Sequence, residues 1–132
     1  MNEKVKNSND KAFKMLDKIQ KSNPNQCMGK LYLVLASNYK SIGDDKFKEK
    51  CLAKVSENYL SKQLIVDLEK AELFGVNHNG ANYAPEFLKS IQDILPDLKD
   101  LPGFDQLQKK LLMSPLWQVI HRKEEVIIFQ KI

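Results

Sequence analysis

An all-helical fold of antiparallel hairpins, in one layer or a bundle of about six helices, is what this chain of 132 residues predicts. Three observations carry the prediction. Apolar residues recur at three- and four-residue intervals from Asp10 to Tyr59, the period of a helix with one buried face. Pro24 and Gly43 interrupt that pattern at intervals suited to helical hairpins. A hydrophobic content of 42% with 29% charged residues belongs to a folded globular chain, neither wholly disordered nor membrane-spanning. The length suits one domain with one core, made of a frayed lead-in (1–9), a hairpin region (10–75) and a stretch of loop, shorter helices and tail (76–132).

The first helix is expected to start at Asn9 or Asp10 as N-cap and to run to Ser22, with Ala12, Phe13, Leu16 and Ile19 as its apolar stripe. Asn23-Pro24-Asn25 ends it. The second, from Gln26 to Ile42, places Met28, Leu31, Leu35, Tyr39 and Ile42 on one face and Leu33, Val34 and Ala36 on the others, which predicts the most buried element of the fold. Gly43 tolerates the positive φ of a helix end, and Asp44 or Asp45 caps a third helix whose inward stripe is Phe47, Cys51, Leu52, Val55 and Tyr59.

A break or kink near Asn58 to Ser61, with Ser61 as cap, would divide that helix from a fourth carrying Leu64, Ile65, Leu68, Ala71 and Phe74 and stopped by Gly75. Residues 76–83 (VNHNGANY) have no period and read as loop. Pro85, with Glu86 beside it, opens a helix lined by Phe87, Leu88, Ile91, Ile94 and Leu95, and Pro96 ends or kinks it. Pro102-Gly103 marks a turn before a short helix from Phe104 to Met113. The last residues carry two signals. Ser114-Pro115 starts a helix, whereas Val119-Ile120 and Val126-Ile127-Ile128-Phe129 around an RKEE turn read as a short β-hairpin or extended tail.

The net charge of +4 is unevenly spread. Residues 1–62 hold 13 lysines against 7 acids, and residues 63–112 hold 5 against 8, so the two parts differ in sign. Solvated helix faces explain most such runs. Arg122 is the single arginine, which weakens a case for base-specific or bidentate phosphate recognition, although lysines alone give weak, salt-sensitive attraction to polyanions. No apolar run is long enough to cross a bilayer, and the first ten residues lack the apolar core of a secretory signal, so a cytoplasmic location is the expectation. Cys27 and Cys51 are too few and too far apart for a disulfide framework or a CxxC pair. They read as buried thiols, with a disulfide between facing helices as the alternative.

Candidate chemistry is sparse. His78 and His121 have no second ligand at i+3 or i+4, so neither a metal nor another cofactor is expected, and a thiol–imidazole pair of His78 with Cys27 or Cys51 has nothing local to enforce it. Asp44-Asp45 and Glu124-Glu125 read as caps and turn charges rather than as an acid and a base. No GxGxxG, phosphate-loop, GxSxG or HExxH motif is present. Trp117 and the tyrosines at 32, 39, 59 and 83 read as core residues, with an interface role as the other reading.

Residues 10–60 resemble tetratricopeptide hairpins, whose repeat is an antiparallel helix pair. Ala12, Leu16, Ile19 and Pro24 match the small, large apolar, small and proline positions of a B helix, and Tyr32, Leu35, Ala36, Tyr39 and Gly43 match those of an A helix. The resemblance implies a groove lined by Lys30, Leu33, Ser37 and Lys40, suited to an acidic or C-terminal peptide. The functional expectation is therefore a non-enzymatic protein-binding module, of the inhibitor, immunity-protein or adaptor kind. The alternative is a nucleic-acid-associated protein that uses its lysine-rich first half.

Overall fold

The first helix, α1, spans Glu3–Ser22 in the computed structural model, which describes residues 3–24, 28–77 and 83–113, with 71–77 and 83–85 described by their backbone path alone. The lead-in expected to fray is thus helical, and Asn9 is a buried mid-helix residue rather than a cap. The cap preference of Asn is worth about 1 kcal/mol. Here it is outweighed by Glu3 in the first turn, where the helix dipole favours an acid, by the i,i+4 pair of Lys6 with Asp10, and by tertiary packing.

Clustering of the chain gives two compact units, Met1–Ser56 and Glu57–Ile132. In the first, α2 (Gly29–Ser41) packs against α1 and most extensively against α3 (Asp45–Leu52). The expectation of a deeply buried second helix holds: Tyr32, Leu33, Ala36 and Tyr39 are fully buried, and Leu35 nearly so. Burying a side chain of that size stabilises by roughly 1.5–3 kcal/mol. Leu31, expected inward, is instead 47% exposed. Gly43, at φ +78°, closes α2 by donating its N–H to the Lys40 carbonyl at 3.0 Å, and Asp44 caps α3 by accepting from the Phe47 N–H at 3.2 Å.

The expected break falls earlier than Asn58 to Ser61. Helix α3 stops at Leu52 and winds down over Ala53 to Val55, where Lys54 and Val55 donate to Cys51 and Leu52 carbonyls three residues back. Lys54 in this turn, which contains no glycine or proline, also bonds to Asp17 of α1 at 2.9 Å. Ser61, proposed as a cap, lies buried inside the next helix.

In the second unit the chain passes through a π-helical turn, Tyr59–Gln63, into α4 (Leu64–Asn77). The wider turn places Tyr59, Leu60 and Ser61 consecutively inside, and Tyr59 Oη donates to Asp67 about two turns on at 2.8 Å. Gly75 does not stop α4, since an interior glycine costs only about 1 kcal/mol relative to alanine. Helix α5 (Tyr83–Ile94) packs on α4, buries Phe87, Ile91 and Ile94, and gives way to a tight 3-10 turn, Leu95–Leu98, with Pro96 at its start. Helix α6 (Phe104–Leu112) buries Phe104, Leu107 and Leu111 and packs on the π turn and α4. Gly103 before it is required twice over: its φ is +94°, and a Cβ there would lie 2.7 Å from the Glu57 carbonyl oxygen.

All described elements are helical, with no strand among the described residues, and none of the described helices is long and apolar enough to cross a membrane. Cys27, His78 and residues 114–132 lie outside the described residues. That stretch holds Trp117, His121, the Glu124-Glu125 pair and both readings of the C-terminus.

Candidate functional site

The charged residues of α1 differ in how far they are engaged by the rest of the unit, and two sets stand out. Asp10 and Asp17, seven residues apart, share one side of the helix, and both are committed to internal ties. Asp10 Oδ1 accepts from Tyr39 Oη at 2.7 Å, and its Oδ2 accepts from Lys6 Nζ at 3.3 Å. Lys6 also reaches Asp44 Oδ2 at 3.1 Å, joining α1 to the cap of α3. The bond to Asp44 is the main cause that raises the Lys6 ammonium above its ordinary value. The Phe47 N–H, followed by Lys6, holds the Asp44 carboxyl below its own, against an opposing effect of burial.

An aromatic cluster lies under these ties. Phe47 stacks on Tyr39 with ring centres 5.2 Å apart, and Phe13 meets Tyr32 and Phe47 edge-on at 6.1 and 6.0 Å. The ammonium groups of Lys6 and Lys50 sit 4.6 and 4.5 Å from the Phe47 ring centre, at the range of cation–π attraction. Burial, reinforced by the Asp10 carboxylate, pushes the Tyr39 hydroxyl far above its ordinary pKa. At the other end of α1, Asp17 accepts from Lys54 at 2.9 Å and pairs with Lys21 at 3.2 Å, which together hold its carboxyl low. The Tyr32 hydroxyl and Asn9 Nδ2 are buried without a hydrogen-bond partner among the described residues.

The second set on α1 points outward. Lys11, Lys14, Lys18 and Lys21 are exposed, at positions i, i+3, i+7 and i+10, with Met15 between them at 62% exposure. Lys11, Lys14 and Lys18 make no ion pair among the described residues, and Lys21 remains 77% exposed despite its pair with Asp17. From Lys11 to Lys21 this strip is roughly 15 Å long at the helical rise of 1.5 Å per residue. Sequence reasoning missed it. The signal lies in the i, i+3, i+7 spacing, which a charge balance over residues 1–62 averages away.

The residues expected to line a groove do not share an open surface. Lys30 is exposed and Lys40 half-buried, whereas Leu33 and Ser37 are buried, because α2 is covered on most of its circumference. Of the residues considered for chemistry, Asp44 is a helix cap and Asp45 lies in the first turn of α3. Cys51 is a buried free thiol pushed up to about 12 by desolvation, the opposite of what a nucleophile needs. No group of three or more metal-ligating side chains occurs among the described residues. The chain matches no family model, no curated protein and no solved structure.

Proposed function

We propose that the protein is a non-enzymatic helical module that binds another protein, an adaptor or inhibitor in kind, with the first unit as its working part. The observation that carries this reading is the row of exposed lysines on α1 beside the exposed Met15. Both aspartates of the helix are tied to Lys6, Tyr39 and Lys54, while lysines around an exposed methionine face water. Lysines that carry no ion pair among the described residues leave a positive field that attracts and orients a partner of opposite sign. The ties hold the presenting helix against α2 and α3, so little ordering would accompany docking.

The experiment is cross-linking in host cells followed by purification under denaturing conditions. A defined polypeptide recovered in near-equal amount supports the module reading. Recovery of nucleic acid with no polypeptide would replace it with the polyanion alternative.

A further inference from the structure

We infer that the outward strip of α1, formed by Lys11, Lys14, Met15 and Lys18, is the docking surface for an acidic helix or segment of a partner protein that carries an apolar side chain to cover Met15. The inference rests on the protein-binding reading above and names the partner's chemistry.

Charge complementarity selects an acidic ligand. Lys11, Lys14 and Lys18 project from one face over about two helical turns, and the two aspartates nearest them, Asp10 and Asp17, are bonded to Tyr39, Lys6 and Lys54. Met15 selects a protein among acidic ligands. It is i+4 from Lys11 and i−3 from Lys18, so it lies along one stripe with these two lysines, with Lys14 on the side away from it, and a phosphate backbone tracking the lysines would leave it in water. A protein surface would bury it, and an unbranched thioether adapts to many apolar neighbours. Lysine, a flexible point charge, suits carboxylates presented without fixed bidentate geometry.

The probes are a synthetic glutamate-rich helical peptide with a leucine stripe, the same peptide with glutamine for leucine, and a DNA duplex of equal charge. Binding is followed by fluorescence anisotropy at low and physiological salt, on wild type and on two variants whose helicity is verified by circular dichroism. Lys11→Glu/Lys14→Glu/Lys18→Glu should weaken the leucine peptide by at least about tenfold. Met15→Ser should weaken it by about fivefold, while leaving the glutamine peptide unaffected. The inference is overturned by an absence of wild-type binding to the leucine peptide, by equal binding of the charge-reversed variant, or by tighter binding of DNA that ignores Met15→Ser. The two readings fail separately. A host polypeptide cross-linked equally well by the charge-reversed protein removes this surface and keeps the module, whereas no cross-linked polypeptide removes the module.

Discussion

Two buried tyrosines on one helix make opposite predictions for the same atomic deletion. Tyr32 and Tyr39 are both fully buried on α2, and replacing either by phenylalanine removes a single oxygen without changing the packed ring. Tyr39 Oη donates to the carboxylate of Asp10 at 2.7 Å. A bond to a charged group contributes roughly 1.5–3 kcal/mol. Asp10 is only half-buried and keeps Lys6 as a partner, so Tyr39→Phe should cost about 1.5 kcal/mol, at the low end of that range. Tyr32 Oη has no partner among the described residues, and its hydroxyl is held protonated chiefly by desolvation. Tyr32→Phe therefore removes a buried unsatisfied group whose burial costs about 1–3 kcal/mol, and should stabilise by roughly 1 kcal/mol. Urea unfolding followed by far-ultraviolet circular dichroism reads both, with an unchanged slope and midpoints moving in opposite directions. A fall in midpoint for Tyr32→Phe equal to that for Tyr39→Phe would refute the reasoning, because it would require the Tyr32 hydroxyl to be bonded.

Three further outcomes follow from the same coordinates. Both Gly43 and Gly103 have positive φ, but only at Gly103 does a Cβ meet backbone, so Gly43→Asn should be nearly neutral while Gly103→Asn costs about 2–3 kcal/mol; equal urea midpoints would contradict this. The carboxyls of Asp17 and Asp44 lie below their unfolded value near 3.9, so the stability they add is present at neutral pH and lost as pH falls through about 4 and below. Asp44→Asn should accordingly flatten the fall of the urea midpoint in acid, and an unaltered pH profile would count against the cap and the Lys6 pair. Cys51, buried and with its thiol pushed up to about 12, should resist iodoacetamide at pH 8 in a Cys27→Ser background and react only on unfolding, as mass spectrometry would show; rapid labelling of the native protein would contradict its burial.

What the sequence made legible was its punctuation. Gly43 with Asp44, Pro96 and Pro102-Gly103 each act through one strong local preference, and each falls at the turn it predicted. Where several weak preferences compete, local reading failed. Asn9 has the chemistry of a cap but is drawn into α1 by packing, Gly75 is carried through α4, and the turn at Ala53 to Val55 contains no glycine or proline to announce it. The candidate surface was harder still. Leu33 and Ser37 lie within a helix that is apolar on nearly all sides, so a motif-based assignment to a groove could not anticipate their burial. The lysine strip needed only the helical period, together with the knowledge that Asp10 and Asp17 are engaged by Tyr39, Lys6 and Lys54, which no local pattern contains.

Contact of the exposed side of α1 with a protein is the central requirement of the proposed function. A photo-reactive amino acid placed at position 15 and, as a control, at the exposed position 62 tests this inside host cells. The account predicts an adduct to an acidic polypeptide from position 15 that disappears with Lys11→Glu/Lys14→Glu/Lys18→Glu and does not form from position 62. Adducts formed equally from both positions, or from position 15 to nucleic acid alone, would contradict it.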